Sequence, residues 1–93
     1  MRLSEAEQKA IKAAVRNVDP EAQVFLFGSR ANDEMKGGDI DILVISENIG
    51  YHEKLVIRRE LFKNLEDQKI DIVVAQDLQD AFVKSILPEA IAL

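Results

Sequence analysis

Two apolar runs of this chain carry an aspartate in the same local setting. One contains Ile40-Asp41-Ile42 and the other contains Ile70-Asp71-Ile72. Aspartate is depleted in strands, and a carboxylate within such a run has to be paired, solvated or bound to a metal. Because side chains alternate across a strand, the isoleucines point to one face and the aspartate to the other. The two runs are therefore predicted to be strands whose isoleucines pack on one side while the aspartate faces the other.

Three strands and four helical segments are predicted along the chain. The strands cover 23–27, 39–46 and 69–75. A capping box at Ser4-Glu5-Ala6-Glu7 begins a first helix that continues to about Asn17. A short helical segment is expected over 29–35, before a turn at 36–38. The order of the strands in the sheet does not follow from this pattern.

Two further helices complete the pattern. One runs from Tyr51 to about Asp67, and the last opens at Asp77 and Asp80 and ends or kinks at Pro88, which leaves an apolar tail over 89–93. The helix from Tyr51 is expected to bury one apolar face, with Leu61 beside it. That predicted face consists of Leu55, Val56, Arg59, Phe62 and Leu65. The fold class is therefore α/β or α+β, built on a small sheet.

Length and composition indicate one compact domain over residues 1–93. The chain has 47% hydrophobic residues and no cysteine, which excludes a disulfide framework and a thiolate metal site. A domain of this size buries only about 60 to 65% of the surface of its unfolded chain, so a partner surface would help it, and self-association is left open. The apolar runs are too short to span a membrane and the start of the chain has no signal-peptide core, so a cytoplasmic location is expected. A net charge of -5 argues against nucleic-acid binding through a broad basic face.

The aspartates on the predicted strands form a candidate metal site. Asp39 and Asp41 are two residues apart, so they project from the same face with Cα atoms roughly 6.5 to 7 Å apart. Asp71 joins them if the two strands are neighbours. Oxygen ligands of this kind suit Mg²⁺ or Mn²⁺, which complete their coordination with water and substrate phosphates. One ion held between the acids, or two ions sharing an oxygen, would therefore act on a phosphate ester or anhydride.

The turn after the first strand supplies a candidate phosphate site. Gly28 lets the backbone turn, and the N–H groups that follow can donate to phosphate oxygens. Ser29 adds a hydroxyl donor and Arg30 a cation. Simpler alternatives exist for each residue: Ser29 as an N-cap, Arg30 as a surface charge, Asp39 as a turn residue and Asp71 as a solvent-facing position of an edge strand. The occurrence of all these residues together favours the combined metal and phosphate site.

Charged and aromatic residues on the helix from Tyr51 are weaker candidates for a functional role. His52 stands without a second histidine or cysteine nearby, so it and Tyr51 are left out of the site. The same helix carries a basic group, which is either a solvated face or a partner surface. That group consists of Lys54, Arg58, Arg59 and Lys63.

The motifs resemble those of the nucleotidyltransferase superfamily that includes DNA polymerase beta. The resemblance rests on 27–31, 39–44 and 70–74, which read Phe-Gly-Ser-Arg-Ala, Asp-Ile-Asp-Ile-Leu-Val and Ile-Asp-Ile-Val-Val. More narrowly, the chain is similar to the minimal nucleotidyltransferases that are paired with HEPN-type toxins in toxin-antitoxin systems, in which 77–87 matches the closing helix.

The resemblance implies both a fold and an activity. The fold is a mixed sheet flanked by helices, with Gly28 and Ser29 contacting the triphosphate and Asp39, Asp41 and Asp71 binding Mg²⁺. The activity is transfer of AMP from ATP to a hydroxyl, which in the antitoxin group is a tyrosine of the partner toxin. Such AMPylation blocks the ribonuclease activity of the toxin.

The sequence is compatible with three functions. The first is a Mg²⁺-dependent nucleotidyltransferase that acts on a protein partner. The second is a binding module that neutralises its partner by masking it, without catalysis. The third keeps the enzyme but takes a small-molecule acceptor such as an aminoglycoside, against which the lack of an acceptor domain in this sequence counts. The general base is left open between Asp71 and the second metal ion.

Overall fold

The computed structural model describes residues 3–32, 38–65 and 69–93. Its helices are α1 (Glu5–Val18), α2 (Tyr51–Asn64) and α3 (Ala81–Ile86), and its strands are β1 (Gln23–Phe27), β2 (Ile40–Ile45), β3 (Ile70–Ala75) and β4 (Ile91–Ala92). Two short 3₁₀ turns lie at Gly28–Ala31 and Leu87–Glu89. No helix in these described ranges is both long enough and apolar enough to cross a membrane.

The four strands form one mixed sheet in the order β3-β2-β1-β4. Strand β1 runs antiparallel to β2 and to β4, whereas β2 and β3 are parallel. Parallel neighbours need a crossover connection, and α2 provides it. Because β2 and β3 run in the same direction, their first residues lie at the same edge of the sheet. The predicted mixed sheet flanked by helices is confirmed.

Alternation along the strands divides the core between the two faces of the sheet. The isoleucines of the Ile-Asp-Ile motifs pack with α1 and α2, for example with Ile11 and Ile57, in one buried cluster. On the other face, Leu43 and Ile45 pack with Val83 of α3. Asp41 and Asp71 have the parity of this second face, so they lie on the side of the sheet that α3 covers.

Helix α1 begins as its sequence predicts. Ser4 Oγ accepts a hydrogen bond from the Glu7 backbone N–H at 3.1 Å, and Glu7 Oε1 accepts one from the Ser4 N–H at 2.9 Å. The helix ends at Val18, one residue past the predicted end. The capping box therefore determines the start of α1 from local sequence alone.

The predicted buried face of α2 is wrong except at Leu65, which is 6% exposed. Phe62 is 76% exposed, and Leu55 and Val56 are 39% and 44% exposed. The helix instead packs through Ile57 and Leu61, and Leu65 just beyond its end continues that line. Both sets of apolar residues recur at helical spacing, so periodicity cannot choose between them. The choice comes from the way the crossover lays α2 against α1 and β3.

The apolar tail predicted over 89–93 contains strand β4. The turn containing Pro88 follows α3, as expected, but Ala92 and Ile91 then pair with Phe25 and Leu26 of β1. Leu93 also donates its backbone N–H to the carbonyl of Val24 at 2.9 Å. A two-residue strand has too little sequence for period-two alternation to be visible, so only long-range pairing defines it.

Two other boundaries differ from the sequence-based expectation. The helical segment expected over 29–35 is a 3₁₀ turn that ends at Ala31, with Asn32 extended, and 33–37 lie outside the described residues. Helix α2 ends at Asn64, and the predicted end near Asp67 also lies outside them.

Candidate active site

Asp41 and Asp71 occupy the same register position on neighbouring parallel strands. Each is the second residue of its strand, so both lie at the edge of the sheet where β2 and β3 begin. Neighbouring strands are about 4.8 Å apart, which places the two half-buried side chains side by side. The sequence predicts that these acids lie close together if the two strands are neighbours. The parallel pairing of β2 with β3 makes them neighbours.

The environment of Asp41 disfavours its negative charge. Burial raises the pKa of the Asp41 carboxyl first, the negative charges of Asp71 and Asp39 raise it further, and a hydrogen bond with Asp71 adds to this. The positive charge of Lys69 acts in the opposite direction. A carboxylate held near two others and partly removed from water is stabilised by a cation. The site therefore has the electrostatic character of a cation-binding position.

Asp39 lies next to this pair but its carboxylate contacts a lysine. It immediately precedes β2, and its Oδ2 atom is 3.8 Å from Lys69 Nζ, with both side chains largely exposed. The backbone holds these positions together, because the Ile40 N–H donates to the carbonyl of Lys69 at 2.9 Å. Within the described ranges, no three acidic, histidine or cysteine side chains are grouped closely enough to hold one ion. The structure thus brings Asp41 and Asp71 together and places Asp39 beside them, paired with Lys69.

The backbone of Gly28 passes directly against the Asp41 carboxylate. Gly28 has φ of +75°, in the left-handed region that favours glycine. A Cβ atom at this position would overlap Asp41 Oδ2. Phe27, the preceding residue, is the register partner of Asp41 across the antiparallel pair. Glycine is therefore required both for the turn and for the close approach to the acid.

Ser29 and Arg30 occupy the 3₁₀ turn that follows Gly28. The N-cap of this turn is Phe27, so Ser29 is not its N-cap residue, which removes the simpler alternative for the serine. Arg30 donates from Nη2 to the carbonyl of Gly38 at 3.1 Å. The arginine thus links the turn to the residue that precedes Asp39, and it is not merely a surface charge.

Lys69 is a site residue that was not among the predicted ones. It precedes the Ile-Asp-Ile motif of β3 as Asp39 precedes that of β2. In a parallel pair such matching positions face each other, so this repeated setting was a signal that could have identified the lysine. It forms an ion pair with Asp39 at the acidic edge of the sheet.

Helix α3 closes the sheet face that carries the acids. The rings of Phe27 and Phe82 meet edge to face, with centroids 6.1 Å apart and an interplanar angle of 80°. Asp80 caps the helix by accepting from the backbone N–H groups of Phe82 and Val83. The aromatic contact therefore anchors α3 next to the turn that holds Gly28.

Comparison with known families agrees with this geometry. A search of curated proteins found no match. The family model described as polymerase beta, nucleotidyltransferase, matches residues 8–93, which include all four strands, the Gly28 turn and the three aspartates. This match covers most of the chain, and the chain belongs to the polymerase beta nucleotidyltransferase family.

Proposed function

We propose that this protein transfers AMP from ATP to a hydroxyl group in a Mg²⁺-dependent reaction. One observation carries the proposal: Asp41 lies in register with Asp71 on a parallel strand, and its carboxylate lies directly against the backbone of Gly28. Family membership supports nucleotidyl transfer in general. The choice of ATP, of AMP transfer and of the acceptor rests instead on the resemblance to the minimal nucleotidyltransferases.

The donor set at the sheet edge fits a magnesium ion. Carboxylate oxygens are the ligands that Mg²⁺ prefers, and the burial and neighbouring negative charges that raise the pKa of Asp41 support a cation there. Asp41 and Asp71 would hold the ion. Asp39 would become a further ligand if its carboxylate left Lys69 and turned toward the ion. When bound, the ion would neutralise charge on the triphosphate and on the leaving pyrophosphate. Mn²⁺ satisfies the same donor set.

The protein's own groups position the nucleotide and the acceptor. In the proposed complex the backbone N–H groups of the Gly28 turn would donate to phosphate oxygens, and Ser29 and Arg30 are the proposed side-chain donors. The acceptor oxygen forms a bond to the α-phosphorus while the bond to the bridging oxygen breaks, and pyrophosphate leaves with that electron pair. The hydroxyl proton passes to Asp71 or to water.

The proposed acceptor is a tyrosine of a HEPN-type toxin partner. Support for this choice comes from the resemblance of the three motifs to the minimal nucleotidyltransferases. Modification of the toxin by AMP would then be the way in which the protein acts as an antitoxin.

Transfer of label from ATP tests the proposal. The protein is incubated with ATP labelled at the α-phosphate, Mg²⁺ and the product of the neighbouring gene, and the proteins are separated by gel. We expect label on the partner, and its loss in the Asp41→Asn and Asp39→Asn variants. Asp77→Asn is the matched control, since Asp77 accepts only a local bond from the Gln79 N–H among the described residues.

Two outcomes would reject the proposed reaction. If the partner is neutralised without label, and equally by Asp41→Asn, the protein acts by masking. If label appears on an aminoglycoside hydroxyl and on no protein, the acceptor is a small molecule.

A further inference from the structure

Apolar side chains on the outer side of α2 form a groove together with two arginines. Phe62 is 76% exposed and Leu55 is 39% exposed. With Arg58 and Arg59 they line an open groove of about 350 Å³. Since α2 packs on the sheet through Ile57 and Leu61, none of these four residues is needed for the core contact of the helix.

This groove continues toward the candidate active site. A second depression of about 200 Å³ is lined by Arg58, Phe62, Lys69 and Ile70. The two depressions share Arg58 and Phe62, so they form one surface, the α2 groove, made of Leu55, Arg58, Arg59, Phe62, Lys69 and Ile70. Lys69 also forms the ion pair with Asp39. One end of the α2 groove therefore adjoins the acidic edge of the sheet.

The charge of the α2 groove is opposite to that of the chain. The protein has 17 acidic and 12 basic residues, yet among the described residues the groove is lined by three cations and no acid. Arg58 and Arg59 form no ion pair or hydrogen bond with any residue in the described ranges. Single exposed apolar residues are common, but here an exposed phenylalanine and leucine adjoin two arginines that have no ion-pair partner among the described residues. A partner that supplies both carboxylates and apolar side chains complements this surface.

The size and lining of the α2 groove favour a protein segment as the occupant. Arginine and aromatic side chains side by side are typical of the centre of protein interfaces, where an amphipathic helix can lie in a groove. A nucleic acid is disfavoured because its affinity comes from many phosphate contacts along a broad basic face, whereas the α2 groove offers three cations in a chain of net charge -5.

We propose that the α2 groove binds an acidic, amphipathic segment of the acceptor protein, and so brings the acceptor to the active site. The assignment of this partner as the acceptor rests on the proposed function. The docking itself does not, because it needs neither ATP nor a metal ion.

Binding is measured with a fluorescent peptide in the absence of nucleotide. The probe is a designed amphipathic helix with leucines at helical spacing flanked by glutamates, and a second peptide carries lysines in place of the glutamates. We expect the acidic peptide to bind more tightly than the basic one, with an affinity that falls as salt is added.

Two groove variants and one matched control locate the binding. Arg58→Glu with Arg59→Glu, and separately Phe62→Ser, are each expected to weaken binding of the acidic peptide about tenfold or more. Lys9→Glu with Arg16→Glu makes the same charge reversal on the exposed surface of α1 and is expected to leave binding unchanged. The same variants are then compared for binding to the product of the neighbouring gene.

Stabilisation by MgATP separates this proposal from the proposed function. The groove variants are expected to keep the full thermal shift with MgATP, which shows that they are folded and retain the nucleotide site. If a groove variant loses peptide binding but keeps the thermal shift with MgATP, the result supports binding in the α2 groove. This holds whatever the acceptor of the transfer reaction is.

Three results would overturn the docking proposal. The first is equal binding of the acidic and basic peptides, or unchanged binding by the groove variants. The second is tighter binding of a single-stranded oligonucleotide than of the acidic peptide, with the oligonucleotide binding lost in the Arg58→Glu, Arg59→Glu variant. The third is a dimer in analytical ultracentrifugation that Phe62→Ser dissociates, because a second copy of the chain would then occupy the groove.

Discussion

Gly28 and Asp41 are in such close contact that position 28 has no room for a side chain. The Gly28 backbone, at φ of +75°, lies where a Cβ atom would overlap Asp41 Oδ2. Asp41 in turn lies beside Asp71 through the parallel pairing of β2 and β3. The glycine turn and the acids are therefore one structural unit, and a change at one position is expected to displace the other.

Gly28→Ala is expected to destabilise the protein and to weaken nucleotide binding. The left-handed conformation alone costs a residue with a Cβ about 1 to 2 kcal/mol, and the overlap with Asp41 adds to this. Gly38→Ala is the matched control, because a Cβ there would meet nothing within 4 Å. Urea unfolding curves of the two variants measure the difference. Equal free energies of unfolding would show that the close approach carries no energetic cost.

Asp41→Asn is expected to raise the stability of the metal-free protein at neutral pH. The pKa of Asp41 is raised, so the folded state holds its proton more tightly than the unfolded state. Stability from this group is therefore lost as the pH rises from the usual aspartate pKa, about 3.9, through the raised folded value. The asparagine variant does not lose this stability as the pH rises, so it should be more stable than the wild type at neutral pH. The difference in the free energy of unfolding should disappear in acid.

Thermal unfolding in EDTA over a range of pH measures this effect of Asp41. Glu47→Gln removes an exposed charge beyond the opposite end of β2 and serves as the control. A stability gain that is equal at all pH values would contradict the electrostatic cause.

Ser46→Ala is expected to lower the melting temperature in a pH-dependent way. The hydrogen bond from Ser46 lowers the pKa of Asp19 most, and the Glu21 N–H and the Asn48 amide lower it further, while burial opposes them. For a lowered aspartate pKa, the stability is present above the unfolded value and is lost as the pH falls through the folded value. The difference from the wild type should therefore be largest near neutral pH and shrink in acid.

Ser85→Ala is the control for that measurement. Ser85 Oγ donates to the carbonyl of Phe82 in an exposed turn of α3, without a charged partner. Its effect on the melting temperature should not change with pH. A similar pH dependence in both variants would indicate a cause other than Asp19.

Leu61→Ala and Phe62→Ala test which face of α2 is in the core. Leu61 is 1% exposed and its neighbour Phe62 is 76% exposed. Removing a buried leucine side chain costs about 2 to 5 kcal/mol. Removing an exposed one changes the stability by less than about 0.5 kcal/mol. Denaturant unfolding of both variants should show this order, and the reverse order would restore the face predicted from periodicity.

MgATP is expected to stabilise the wild type more than the Asp39→Asn, Asp41→Asn double variant. A ligand that binds only the folded state at a hundred times its Kd adds about 2.7 kcal/mol. For a domain of this size each kcal/mol shifts the melting temperature by about 4 to 8 °C. Asp77→Asn should retain the full shift in the same assay. Equal shifts in the double variant and the wild type would remove these acids from the site.

Much of the site could be predicted from local patterns. The alternation in Ile40-Asp41-Ile42 and Ile70-Asp71-Ile72 placed each acid on the face opposite the isoleucines, because side chains alternate in any strand. Gly28 after an apolar run indicated a sharp turn. These inferences succeed because they depend on the geometry of one segment at a time.

Relationships between segments could not be predicted in this way. The order β3-β2-β1-β4, the register that sets Asp41 beside Asp71, and the pairing of β4 depend on contacts far apart in the chain. The same holds for Lys69 beside Asp39 and for the face of α2 that is buried. The sequence alone determined which residues share a face of each strand, whereas only the tertiary structure decided which strands are neighbours and which helix face meets them. The physical reason is that side-chain direction follows from the local backbone, but pairing and packing are selected by the free energy of the whole fold.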